Sequence, residues 1–167
     1  MRGNIFGVKA FSIWVIGYGN PQRRDDGLGP YVASRLKEAL KEKDEVLFHK
    51  LHQLEPDLAE DLREASLIIF VDATIKKVKG GWQWERVEPE PGRPYPPTHY
   101  IKPSFLLGMI ESLYHQCPRA WLISIQGDDF SFGEGLSLEA EKRACQAITG
   151  IVNFIETEIF LLTSKSK

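Results

Sequence analysis

The sequence predicts a three-layer α/β/α sandwich, in which a mostly parallel, twisted sheet of about five strands carries helices on both faces. Three observations predict it. Two runs of large apolar residues, Phe11 to Ile16 and "SLIIFVDAT" with its apolar stretch ending at Asp72, read as strands buried on both sides. Segments of helical period separate the strand-like runs, as the crossovers of a parallel sheet require. The chain has 167 residues, enough for one well-packed domain (1–167) and short for two.

Element by element, "FSIWVI" is β-branched and aromatic and runs into Gly17-Tyr18-Gly19. From Leu28, the apolar positions Tyr31, Val32, Leu36, Ala39 and Leu40 recur at helical spacing until "KEKD" closes the segment. Val46 to Leu51 reads as a second strand, and "EPDLAEDLREA" as a helix with proline and acidic residues near its start. After "SLIIFVDAT", the stretch "GGWQWERVE" follows a glycine turn and suits an edge or hairpin strand, with Trp82 and Trp84 as packing residues. Glu88 to Pro103 holds six of the ten prolines and must be a surface loop. "SFLLGMIESLYH" is again helical in period, "RAWLISI" is a last buried strand, and Ser137 caps a final helix through about Leu162.

The bulk properties exclude several function classes. A formal charge of −2 with both signs interspersed gives no basic patch for nucleic acid or for an anionic membrane. No uninterrupted apolar run approaches the ~18 residues of a membrane span, and the N-terminus reads as a first strand rather than a signal peptide. Cys117 and Cys145 form neither a C-x-x-C pair nor a disulfide framework, which fits a reducing cytoplasm. No strongly apolar exposed stripe is evident, so a monomer is expected.

The chemistry concentrates in "VIGYGNPQRRDDGLGPYVASRL". Gly17 and Gly19 are placed like the glycines of a phosphate-binding turn, but the third glycine of that motif is missing and Asp25 and Asp26 would repel an anion at the helix start. Two carboxylates there suit a cation, or one of them simply caps the helix. Asp72 closes an apolar strand, where an ionised group needs a ligand or hydrogen-bond partners. His99 lies in the proline-rich loop, where most histidines are solvated or structural. Strand ends and following loops share one rim in an open α/β sheet, so Asp26, Asp72, His99 and the loop "GDDFSFGEG" can converge. Carboxylate, carboxylate and imidazole form an N/O set suited to nickel or zinc with open positions. His49, His52 and His115 have no carboxylate pattern around them, and no nucleophile elbow or H-E-x-x-H helix is present.

The opening segment resembles the glycine-asparagine and acidic-glycine motif of the hydrogenase maturation endopeptidases, which trim the C-terminal extension of the large subunit of nickel-iron hydrogenases. "LIIFVDAT" resembles the second acidic strand end of that family, "THYIKPSFLLGMIESLY" its histidine loop and helix, and "WLISIQGDDFSFGEGLS" the penultimate strand and loop of some members. The resemblance implies a phosphorylase/hydrolase-like sandwich and an endopeptidase whose substrate is the nickel-loaded precursor. It assigns the metal-ligand roles to Asp26 (glutamate in some members), Asp72 and His99, with Asp26 and Asp72 catalytic. Asp25 would be a base or an outer partner of the site, and Gly17, Gly19, Asn20 and Gly27 would shape the turn. Nickel would come from the substrate, with zinc or cadmium able to occupy the site in vitro, and the partner would be the hydrogenase large-subunit precursor. A nickel-binding assembly chaperone would use the same three ligands without hydrolysis, whereas a flavodoxin-like module for a small anion would hold them apart.

Overall fold

A computed structural model describes residues 11–91 and 100–165. The strands are β1 (Ile13–Tyr18), β2 (Val46–Leu51), β3 (Leu67–Thr74), β4 (Trp82–Arg86) and β5 (Arg119–Gln126). The helices are α1 (Leu28–Ala39), α2 (Leu58–Leu62), α3 (Pro103–Tyr114) and α4 (Leu138–Lys165). The strands form one sheet in the order β2-β1-β3-β5-β4, with all neighbours parallel except the antiparallel edge strand β4. This is the α/β sandwich that the sequence predicts.

Strand alternation divides the core in two. Ile13 and Val15 of β1, Leu67, Ile69 and Val71 of β3, and Ile123 and Ile125 of β5 pack with α1 and α4. Ile16 and Tyr18, with Ile68 and Phe70, face the opposite way and pack with residues of α2 and α3. Each aliphatic side chain buried in this way contributes about 1.5–3 kcal/mol. Burial on both faces explains why β1 and β3 read as continuous apolar runs.

Some boundaries depart from the sequence pattern. β1 extends to Tyr18, because Gly17 and Tyr18 still pair with β2. The helical pattern after Pro56 shortens to the five residues of α2, since the bonds Leu58 N to Glu55 O and Ala59 N to Pro56 O make its first turn a tight one. Trp82 and Trp84 do pack as expected, in an edge-on aromatic cluster with Trp121 and Phe154.

α4 begins at Ser137, whose Oγ accepts the Ala140 N–H at 3.3 Å. Its Ala140, Ala144, Ala147, Ile151 and Ile155 form a fully buried stripe, and the small alanines let it lie close to α1. By length and composition the helix could cross a bilayer, but that stripe is part of the core. Phe160 and Leu161 at its far end are exposed.

Glycines fix how α1 meets the sheet. A Cβ on Gly29 would lie 2.3 Å from Tyr18 O and 2.5 Å from Val71 O, and one on Gly17 would lie 2.0 Å from Gly29 O. The first turn of α1 therefore rests on the ends of β1 and β3. Gly29→Ala should lower stability by about 3 kcal/mol through overpacking against backbone that cannot yield. An unchanged urea midpoint would show that the helix can move away freely.

Candidate functional site

The sheet order places β1 beside β3, and the chain leaves β1 toward β2 but leaves β3 toward β4 at the opposite edge, so a crevice opens between their carboxyl ends. The chain leaves β1 through Gly19, whose φ of +137° suits glycine and where a Cβ would meet Asp26 O at 2.0 Å. Asn20 then closes the turn: its Oδ1 accepts Gln22 N–H at 3.0 Å and its carbonyl accepts Arg23 N–H at 3.0 Å. A single 3₁₀ turn, Arg24–Gly27, brings Asp26 back over β1. There its Oδ2 accepts the Asn20 N–H at 2.9 Å. The amide that would greet a phosphate is thus occupied by an internal carboxylate. Gly27 packs on Pro21, where a Cβ would approach Pro21 Cα to 2.9 Å.

Asp72 lies within β3, which runs on to Thr74. Gly17 pairs with Val71, so Tyr18 and Asp72 come next on the two parallel strands and point to the same face. The buried Tyr18 hydroxyl donates to Asp72, and the Ala73 N–H donates to its Oδ1 at 2.8 Å. Burial nevertheless pushes the Asp72 carboxyl up to about 7, against those two hydrogen bonds and with help from the negative charge of Asp26. The same field raises Tyr18, through burial and then Asp72, and Tyr100, through burial and then Asp72 and Asp26. Asp26, Asp72, Tyr18 and Tyr100 therefore share one electrostatic site. A cleft of about 570 Å³ opens from it, lined by Tyr18, Asp72, Tyr100, Ile101 and Leu122.

His99 lies outside the described residues; Tyr100, which follows it in the chain, is the described residue of that loop that faces both carboxylates. Among the described residues, no three histidine, cysteine or acidic side chains gather as a metal site. Asp26 and Asp72, the two described members of the predicted triad, lie within reach of each other's charge.

Asp25 precedes Asp26 in the same turn and faces the loop before α4. Expected as a base or an outer partner of the metal ligands, it is fully buried, and its carboxylate accepts four hydrogen bonds: Asp128 N–H at 2.7 Å, Asp129 N–H at 2.9 Å, Ser137 N–H at 2.7 Å and Ser137 Oγ–H at 2.7 Å. Neighbours in a 3₁₀ turn point about 120° apart, so Asp25 and Asp26 diverge. Burial raises the Asp25 pKa, but the bonds from Ser137, Asp129 and Asp128 outweigh it and hold the carboxyl below its ordinary value. A group so satisfied is a poor proton acceptor. Asp25 fastens the loop 127–137 to the rim, and Gly127 leaves room for it, since a Cβ there would lie 2.7 Å from Asp25 Cβ.

Tyr18, Tyr100 and the bracing role of Asp25 were not evident from the sequence. Only Tyr18 left a signal, as the residue between the two glycines at the strand end.

No family model and no curated protein matches the chain. Solved structures do. The nickel-iron hydrogenase maturation protease HycI from Thermococcus kodakarensis superposes with a TM-score of 0.68 at 24% identity, over 87% of this chain and 92% of its own. The hydrogenase 2 maturation peptidase from a Thaumarchaeota archaeon gives 0.62 at 19% identity, over 86% and 97%. The hydrogenase maturating endopeptidase HybD from E. coli gives 0.61 at 18% identity, over 89% and 94%. The chain has the fold that these hydrogenase maturation proteases share, across nearly its whole length.

Two consequences can be measured. Asp25→Ala orphans four donors and should cost about 3 kcal/mol or more. Because its native pKa is depressed, the stabilisation Asp25 gives is present above the unfolded value near ~3.9 and lost as pH falls through the lower folded value. Asp72 has the opposite sign. With a folded pKa of about 7 it holds a proton that the unfolded chain has released, so stability should fall as pH rises from ~4 to about 7. Urea unfolding across that window should show Asp72→Asn free of this decline. Parallel slopes for the two proteins would contradict the assignment.

Proposed function

We propose that the chain is an endopeptidase of nickel-iron hydrogenase maturation, removing the C-terminal extension of the nickel-loaded large-subunit precursor. The observation that carries this reading is the closeness of Asp26 to Asp72, near enough to act on its charge, at the switch point of a sheet whose fold is shared with hydrogenase maturation proteases. Asp26, Asp72 and His99 complete the coordination of the nickel, which belongs to the substrate. The two free thiols, Cys117 and Cys145, suit the reducing compartment in which such a precursor would be met.

The electrostatics supply a reason for waiting until the metal is loaded. Burial, with help from the charge of Asp26, raises the Asp72 carboxyl to about 7, so near neutral pH this position still carries a proton in part of the molecules. A precursor bearing a divalent ion displaces that proton and finds two carboxylates. A precursor without nickel leaves that proton in place and gains no such attraction. Once the peptide is held, the ion polarises the scissile carbonyl, and a carboxylate takes a proton from the attacking water and passes it to the leaving amine. Asn20 keeps Asp26 aimed, and Tyr18 does the same for Asp72.

The test is cleavage of candidate large-subunit precursors, with and without nickel. Release of a C-terminal peptide should require nickel, and Asp26→Ala, Asp72→Ala and His99→Ala should each lower kcat/KM by at least about 100-fold. Tight binding of the loaded precursor without cutting would replace the peptidase with a nickel-dependent assembly protein. Neither binding nor cutting would remove the hydrogenase reading.

A further inference from the structure

The loop that leads from β3 toward β4, Ile75 to Gly81, carries Lys76, Lys77 and Lys79 and no acidic residue. Its frame is fixed. Gly127 N–H donates to Thr74 O at 3.0 Å, Val78 N–H to Gln126 Oε1 at 3.0 Å, and Gly81 N–H to Val78 O at 2.9 Å. Between these ties Ile75 stands 80% exposed, and the three lysines are exposed beside it. None of the three joins an ion pair among the described residues. The remaining stretches of the sequence, 1–10, 92–99 and 166–167, contain no aspartate or glutamate. Asp128, on the adjoining loop, is already engaged by Arg143 Nη1 at 2.8 Å. The charge of the lysine loop is therefore uncompensated.

The turn that carries Asp26 has a similar pairing of cation and apolar tip. Phe132 is 81% exposed and lies against the Arg23 guanidinium, with Cζ 5.1 Å from the ring centroid. Its loop is tied to that turn by Arg24 N–H donating to Gly133 O at 3.0 Å and Gly133 N–H donating to Gln22 O at 2.9 Å. Arg23 likewise joins no ion pair among the described residues. Arg23 precedes Asp26 by three residues, and Ile75 follows Asp72 by three. The two acidic residues are thus flanked by unpaired cations and exposed apolar side chains, all on firmly tied backbone.

Resting on the peptidase reading above, we propose that these two flanks are the docking face for the folded body of the precursor, and that they meet an acidic, partly apolar surface around its metal. Size argues for this occupant. A standard protein interface takes about 800 Å² on each partner, a disc of about 16 Å radius. Ile75 lies three residues beyond Asp72, about 10 Å at the rise of a strand. A protein that presents its metal to Asp26 and Asp72 through such an interface therefore covers the flanks as well. Charge sets its chemistry. Three unpaired lysines attract and orient an acidic surface, while Ile75 and Phe132 supply apolar area that a protein face can bury. A nucleic acid fits less well, because its phosphates would meet Asp26 and Asp72.

The experiment uses the full chain and the nickel-loaded precursor, with kcat and KM measured at low and high salt. For the native protein KM should rise with salt. The triple reversal Lys76→Glu, Lys77→Glu and Lys79→Glu should raise KM at least about tenfold at low salt, leave kcat within about twofold and abolish that rise. The same change of charge at the far end of α1, Lys37→Glu with Lys41→Glu and Lys43→Glu, should behave as the native protein. Ile75→Ser with Phe132→Ser should raise KM about tenfold at both salt concentrations, because apolar contact is not screened. If the loop reversal leaves KM and its salt dependence as in the native protein, or if the reversal near α1 does as much, the docking face is overturned and the peptidase reading stands. If the native protein cuts no loaded precursor, its binding decides. Affinity lost on loop reversal keeps the docking face without the peptidase, whereas binding indifferent to the reversal, or no binding, removes both.

Discussion

The rim depends on one buried carboxylate. Asp25 joins two stretches more than a hundred residues apart, the turn after β1 and the loop before α4, through four hydrogen bonds to one side chain. Its backbone adds a further tie, Asp25 N–H to Asp129 O at 2.9 Å, and Gly133 N–H donates to Gln22 O at 2.9 Å. An ionised group taken out of water is tolerable only when so fully satisfied. The same bonds fix the 3₁₀ turn in a single rotation, and that rotation aims Asp26 at the crevice. Ser137, a partner of Asp25, also starts α4, so the long core helix and the site are set by one cluster.

The site follows from this rigidity. Asp26 stands on the turn that follows β1 and Asp72 within β3, each oriented by a backbone amide, at a depth where one negative charge resists a second. Among the described residues, no third histidine, cysteine or acidic side chain joins the pair as a metal site. The glycines that look like a phosphate loop serve packing: Gly17 and Gly29 bring α1 onto the sheet, and Gly19 lets the carbonyl of Asp26 pass under the turn.

Much of the fold was legible because its strongest signals are local. Continuous apolar runs marked β1 and β3, helical period marked α1 and α3, and Ser137 marked the start of α4. The edge placement of β4 could be read from its mixed pattern and the glycine turn before it. Shortening of α2 could not, because it depends on turn bonds around Pro56 rather than on hydrophobic period. Within the site, Asp26 and Asp72 were legible as charges where the strands end. The separate fates of Asp25 and Asp26 were not, since adjacent identical residues differ only by rotation in a turn whose geometry is set by a loop a hundred residues away. The contribution of Tyr18 to Asp72 likewise needs strand register, which no single strand reveals.

The central claim is that these side chains bind the metal of another protein. X-ray absorption at the nickel edge, on a loaded precursor alone and then in complex with this chain, tests it most directly. The account predicts new oxygen and nitrogen scatterers at about 2 Å in the complex, with the oxygen component lost in Asp26→Ala and Asp72→Ala. A nickel shell unchanged by complex formation would contradict it.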